Sequence, residues 1–263
     1  MKYTMTNHHN FWQRAGANSD MAEAGVIFMW TDWPFCSQIE AIKSLGKKVV
    51  VWEHGFGAFS DYTNNHRPIL ADGYLAIGEE SAKCVPNSLV VGNPIYDNVK
   101  RKRRKSTGKA LYAALHWVHD VTEYNTKTLK ELVDTYDEYQ FDVKMSDKAK
   151  VDTTGIECEE WYTGVEGLRS LARAKNKISE YDVIFTPKAG TFDSFARLMG
   201  IPVYVINEHE DYRYDGDPIS FKIEGDNYIR IGDKLEGKEI AMDKYIHRPS
   251  LDTESILDWV KKL

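Results

Sequence analysis

Short, wholly apolar runs alternate with amphipathic stretches along most of the chain. Val26–Trp30, Val49–Trp52, Tyr74–Ile77 and Leu89–Val91 each read as a strand buried on both faces. Between the first two, Phe35, Ile39, Ile42 and Leu45 recur at helical spacing, and Gly46 follows as a stop signal. The pattern restarts with a strand over Ala110–Leu115, then a helix over Glu123–Tyr136 and a strand over Tyr139–Val143. A helix over Val165–Ile178, a strand over Asp182–Thr186, a helix over Asp193–Met199 and a strand over Val203–Ile206 follow. Ile219–Ile223 and Tyr228–Ile231 flank a turn-forming Gly225-Asp226-Asn227 and predict a hairpin, while Ser250–Leu263 predicts a closing helix. Strands that are apolar on both faces and alternate with helices predict parallel sheets covered by helices, an α/β fold. Two such series predict two domains: residues 1–99, reduced to four strands and closed by the 250–263 helix, and residues 110–249.

Composition changes this picture little. At 263 residues, with 42% hydrophobic and 28% charged residues, the chain has ample core and no mark of disorder. Its longest apolar runs are too short to span a bilayer, which predicts no membrane insertion. The first residues carry no apolar leader segment, and Cys36, Cys84 and Cys158 are too few and too far apart for a disulfide framework or a paired-cysteine zinc site. A cytoplasmic setting is the expectation. Charge is more informative. The net charge is −6, yet six of the 34 basic residues stand in one unbroken run, Lys100-Arg101-Lys102-Arg103-Arg104-Lys105. The run, within residues 100–109, falls between the two α/β series and reads as a basic linker.

Ligands of open parallel sheets bind beyond the carboxyl ends of strands, and three segments there carry candidate chemistry. Trp52-Glu53-His54-Gly55-Phe56-Gly57-Ala58-Phe59-Ser60-Asp61 follows a strand, and its glycines permit a sharp turn close to a ligand. His54 suits a general base that takes a proton from an attacking hydroxyl, with Asp61 or Glu53 as a rival base or as its orienting partner. A simple turn with a hydrogen-bonded histidine is the competing reading. The Gly-x-Gly is no dinucleotide fingerprint, because it lacks the third glycine and opens no helix. Thr186-Pro187-Lys188-Ala189-Gly190-Thr191-Phe192-Asp193 joins a strand to a helix, where small residues leave N–H groups facing a diphosphate. Lys188 adds a cation and Thr191 a hydroxyl; an ordinary N-cap by Thr191, with Asp193 favouring the dipole, is the plainer alternative. His116-Trp117-Val118-His119-Asp120 follows the strand Ala110–Leu115 and lacks a third metal ligand, so contact with a phosphate or base edge, or loop packing, is favoured over a metal. Asp32, beyond Trp30, either meets an acceptor hydroxyl or caps the next helix, and Asp215-Gly216-Asp217 reads as a solvated turn.

In this order the segments resemble the two-Rossmann-domain (GT-B type) nucleotide-sugar glycosyltransferases, and are similar to the CDP-glycerol glycerophosphotransferases and UDP-N-acetylglucosamine 2-epimerases on that fold. Trp52-Glu53-His54-Gly55, Ala71–Gly78 with Val90–Asp97, and Tyr181–Thr191 with Ala196–Val203 carry the resemblance. It implies two Rossmann-like domains facing a central cleft, the N-terminal one on the acceptor side and the C-terminal one binding a nucleotide-sugar, a UDP-sugar first of all. Lys188, Ala189, Gly190, Thr191, Asp193, His116 and Glu208 would then surround the donor. His54 would be the acceptor base, with Asp61 and Asp32 as rivals, and neither a metal nor a tightly bound cofactor would be required. The chain departs from the pattern in its length and in having Asp193 or Ser194 where a glutamate is expected.

Three functions compete. The first is a hexosyltransferase-type glycosyltransferase acting on a surface glycan, a polyol or a hydroxymethylated DNA base, with Lys100, Arg101, Arg103 and Arg104 gripping acceptor phosphates. The second is a 2-epimerase-like isomerase in the same cleft. The third is a non-enzymatic nucleic-acid-binding module built on the basic run, which the acidic remainder of the chain disfavours.

Overall fold

The computed structural model describes residues 3–6, 23–29, 36–53, 59, 62, 68–92, 96, 99–101, 105–114, 121–146, 149–162, 175–187, 191–206, 229–236 and 252–263. In chain order the elements are β1 (Tyr3–Thr6), β2 (Val26–Met29), α1 (Cys36–Ser44), β3 (Lys48–Trp52), β4 (Gly73–Ala76), α2 (Glu79–Ala82), β5 (Ser88–Val90), β6 (Lys109–Ala113), α3 (Thr122–Thr135), β7 (Gln140–Met145), β8 (Glu160–Tyr162), β9 (Val183–Thr186), α4 (Thr191–Leu198), β10 (Val203–Val205) and α5 (Thr253–Lys262). Two compact units share them. One comprises Met1–Asp97, Gly216–Ile219 and Met242–Leu263; the other comprises Asn98–Asp215 and Ser220–Ala241.

The first unit holds a fully parallel sheet whose strands lie side by side in chain order, β1 to β5. The sequence pattern predicts four strands here; the fifth is the edge strand β1, paired in register from Tyr3 opposite Val26 to Thr6 opposite Met29. Right-handed crossovers that always step in one direction place their helices on one face of a sheet. Accordingly, Ile27, Met29, Val49, Val51, Tyr74 and Ala76 face Ile39 of α1 and the residues around α2. The opposite face, formed by Val26, Phe28, Val50, Trp52 and Leu75, is covered by α5 through Ile256 and Val260, with Leu257, Trp259 and Leu263 beside them. Asp252 starts this helix, its carboxylate accepting the Ser255 N–H at 2.8 Å. Gly73 makes the close approach possible: a Cβ there would stand 2.5 Å from Leu263 Cδ1 and 2.6 Å from Trp259 Cη2.

The second unit is also fully parallel, but its strand order is β10-β9-β6-β7-β8. The chain starts in the middle of the sheet, winds outward through β7 and β8, then returns to the other side for β9 and β10. The two directions of winding send α3 and α4 to opposite faces. On the α3 face Tyr112, Phe141, Val143, Phe185 and Tyr204 pack against Leu129, Leu132 and Tyr136. Phe185 lies at the centre, its ring 5.3 Å from Tyr136, 5.7 Å from Phe141 and 5.8 Å from Tyr204. Leu111, Ile184, Val203 and Val205, pointing the other way by strand alternation, are equally buried. Of the predicted helix over Val165–Ile178, residues 175–178 are described and helical, and the predicted hairpin lies outside the described residues except for Ile229–Ile231. Ile229 is buried, and its N–H donates to Val205 O at 3.1 Å.

Polar anchors hold the amino edge of this sheet. The fully buried Asp142 carboxylate accepts from Tyr181 Oη at 3.0 Å, Lys109 Nζ at 3.3 Å and the Glu159 N–H at 3.0 Å. Burial, and then the Asp142 charge, push the Tyr181 hydroxyl far above its usual range. Asp182 accepts from Ser106 Oγ and from the N–H groups of Thr107 and Gly108, all within 2.8 Å. Burial alone would raise the Asp182 carboxyl, but these donors hold it below its ordinary value. The segment that follows the basic run is thereby fixed at the amino ends of β6 and β9.

Candidate functional site

In the second unit β6 and β9 are neighbours, yet the chain leaves them toward opposite faces. Such a divergence marks a topological switch point at the carboxyl ends of the two strands, the place where open α/β sheets bind ligands. β9 ends on the buried Thr186 and Pro187, and Thr186 O accepts the Ile206 N–H at 2.8 Å, which keeps the ends of β9 and β10 level. Four residues after Pro187 α4 begins at Thr191, so its amino end, with first-turn N–H groups that lack intrahelical acceptors, follows closely on this edge. The helix is anchored by the buried Phe195, Ala196 and Leu198, and Lys175 Nζ lies 5.2 Å from the centre of the Phe195 ring. Ser194 and Arg197 are buried polar residues on the same helix.

Among the predicted donor residues, Thr191 and Asp193 fall in the first turn of α4. Lys188, Ala189, Gly190, His116 and Glu208 lie outside the described residues. In sequence these residues follow β6, β9 and β10, which are adjacent strands of the sheet.

In the first unit the candidate bases His54, Asp61 and Asp32 also lie outside the described residues. Their segments follow the carboxyl ends of the neighbouring strands β3 and β2. The residue between Trp52 and His54 is described in full. Glu53 is 1% exposed, its Oε1 accepting the Phe59 N–H at 3.3 Å and its Oε2 the Ile77 N–H at 3.0 Å. Just beyond, Phe59, Tyr62 and Tyr74 form a triangle of edge-to-face rings with centroids 5.4 to 5.9 Å apart. A sequence reading treats Glu53 as a rival base. The structure gives both of its oxygens to the main chain.

Of the basic run, Lys100, Arg101 and Lys105 are described and exposed, while Arg103 and Arg104 lie outside the described residues. Lys105 leads into Ser106–Gly108 at the amino edge of the second sheet, the end opposite the loops after β6 and β9. Among the described residues no group of three or more His, Cys, Asp or Glu is placed to hold a metal ion. No described helix is long and apolar enough to cross a membrane.

No protein-family model matches the sequence, and no curated protein matches it. Solved structures do. MurG of Acinetobacter baumannii is similar at 13% identity and a TM-score of 0.52, over 92% of this chain and 74% of that one. HepE of Anabaena, solved with UDP and glucose, gives 11% identity and a TM-score of 0.47 over 92% of this chain and 79% of its own. The glycotransferase of kitacinnamycin gives 10% identity and a TM-score of 0.47 over 96% and 74%. The chain has the α/β fold of the GT-B glycosyltransferases, with its two parallel sheets.

Proposed function

We propose that this protein is a nucleotide-sugar glycosyltransferase, with a UDP-sugar as donor and a hydroxyl compound as acceptor. The observation that carries the reading is the switch point between β6 and β9, with α4 starting four residues beyond Pro187. A crevice that ends on a helix N-terminus suits a diphosphate. In this reading residues 110–249 hold the donor, and residues 1–99 with the closing helix hold the acceptor.

The chemistry is a displacement at the anomeric carbon. His54 takes the proton of the acceptor hydroxyl as its oxygen forms the new glycosidic bond. The bond from the anomeric carbon to the diphosphate breaks, and the departing charge is met by Lys188 and by the amides of Gly190 and Thr191. His116, Asp193 and Glu208 complete the donor surroundings, and Asp61 and Asp32 adjoin the acceptor. A surface glycan or polyol fits this acceptor better than a DNA base, because Lys105–Gly108 attaches at the amino edge of the second sheet, away from the donor loops.

A thermal-shift screen of UDP, GDP and CDP, followed by UDP release from UDP-glucose and UDP-N-acetylglucosamine, tests the reading. UDP is expected to stabilise the protein most, and at least one donor is expected to turn over. If no nucleotide binds and no donor is consumed, the reading fails. Recovery of an epimerised donor without acceptor marks the isomerase instead.

A further inference from the structure

Among the described residues two large apolar side chains are exposed, Leu45 at 71% and Ile69 at 51%. Leu45 follows α1 and lies three residues before β3, and Ile69 lies four residues before β4. β3 and β4 are parallel neighbours, so both residues stand at the amino edge of the first sheet. Lys43 joins their segments: its Nζ donates to Leu70 O at 2.9 Å and lies 3.0 Å from Asp72 Oδ1. A single exposed aliphatic residue is ordinary, but two on one tied edge make an apolar surface that a partner would cover.

Lysines gather at the same edge. Lys47 Nζ donates to Ala24 O at 2.7 Å and Lys48 Nζ approaches Val260 O at 3.5 Å, so both ammonium groups are held beside the strand starts. The contact with Val260 brings in the carboxyl end of α5, whose last turn carries the exposed Lys261 and Lys262. The nearby carboxylates are fewer. Asp72 is engaged by Lys43 and by the Val49 N–H, Asp258 pairs with Lys261 at 2.6 Å, and Glu23 precedes β2. Five lysines against three acids, among the described residues, make this edge cationic in a chain whose net charge is −6.

Aliphatic side chains ringed by lysines match an anionic lipid surface. The apolar groups enter the boundary between headgroups and acyl chains, and ammonium groups on long stems meet the phosphates. A second copy of the chain fits poorly, because a two-fold contact would set the lysines against themselves. Nucleic acid fits poorly too, since bases stack on aromatic side chains and neither exposed residue has a ring. We propose that the amino edge of the first sheet docks on anionic lipid bilayers. Leu45 and Ile69 enter the interface, while Lys43, Lys47, Lys48, Lys261 and Lys262 face the headgroups. This is attachment at the surface without a spanning helix, and it leaves the carboxyl ends of β2–β5 at the opposite end of the strands from the lipid. It stands apart from the glycosyltransferase reading and does not depend on it.

Cosedimentation of the full chain with vesicles tests the proposal. Vesicles of phosphatidylcholine and phosphatidylglycerol in equal parts should bind the protein, and vesicles of phosphatidylcholine alone should not. Salt at about 1 M, where the screening length is about 3 Å, should release most of it. Leu45→Ser combined with Ile69→Ser should weaken binding at least about tenfold, and Lys261→Gln with Lys262→Gln about fivefold or more. Lys127→Gln with Lys130→Gln, the same charge change on α3 of the second unit, should leave binding unchanged. All six positions are exposed, so the Tm of each variant should stay near that of the wild type. Amide exchange on the wild type gives a second readout: protection over residues 45–48 and 69–72 should rise when the mixed vesicles are added. No binding to either vesicle, equal binding to both, an equal loss in the α3 variant, or full binding by the Leu45 and Ile69 variant overturns the proposal. A dimer that the Leu45 and Ile69 variant disperses, or a duplex DNA complex lost in the Lys261 and Lys262 variant without vesicle binding, assigns the edge to another partner and overturns it as well.

Discussion

The two sheets have the same number of strands, all parallel, and differ in how the chain visits them. The first is laid down in sequence order, β1 to β5, and its own helices cover one face. The second starts at its centre, and its helices divide between the faces. Among the described strands only the second sheet therefore has a switch point, the place where open α/β sheets bind ligands. The first has no switch point among its described strands, and Glu53 adds two side-chain hydrogen bonds at the ends of β3 and β4, which the sheet itself pairs. Sequential winding also leaves a face of the first sheet for α5 to cover. Winding order thus decides which sheet is covered by its own helices and which depends on a helix from far along the chain.

The comparison is broken most severely at the borrowed helix. Ile256→Ala removes a buried contact from the first sheet and should cost about 2–5 kcal/mol, read by urea unfolding; the UDP-induced thermal shift should survive in the folded fraction. Lys188→Ala is the reverse case. It should weaken UDP binding by about 1.5–3 kcal/mol, the range for a hydrogen bond to a charged group, measured by calorimetry, with the urea midpoint unchanged. Gly73→Ala tests how closely α5 must seat. The added methyl meets Trp259 and Leu263, and a cost of about 1–3 kcal/mol is expected.

The smallest effect concerns the amino edge of the second unit. Because the Asp182 carboxyl is held below its ordinary value in the folded protein, its stabilising contribution is fully present above the unfolded value of about 3.9. It is lost as pH falls through the lower folded value. The stability difference between wild type and Asp182→Asn, read as Tm against pH, should be widest near neutrality and close in acid.

Much of the architecture was legible in the sequence, and what was missed shares a cause. Strands buried on both faces, such as Val49–Trp52 and Val183–Thr186, announce themselves as apolar runs. The two strands that went unseen, Tyr3–Thr6 and Glu160–Tyr162, are both edge strands, short and mixed in polarity, with one neighbour each. Periodicity marks where strands lie but not which strands pair, so the switch point appears only once β6 is seen between β7 and β9. The loop segments of the candidate site were visible through their glycines, histidines and lysine at strand ends. The hydrogen bonding of Glu53 was not, because its partners are N–H groups six and twenty-four residues away.

The placement of α5 also sets an order of events during synthesis. Domains ordinarily fold as they emerge, the N-terminal one first. Here Val50, Trp52 and Leu75 present an uncovered apolar face until the entire second sheet has left the ribosome and α5 arrives. The unit that begins the chain is thus the one that finishes folding last. In the interval its half-built sheet is the part of the nascent protein most in need of chaperone protection.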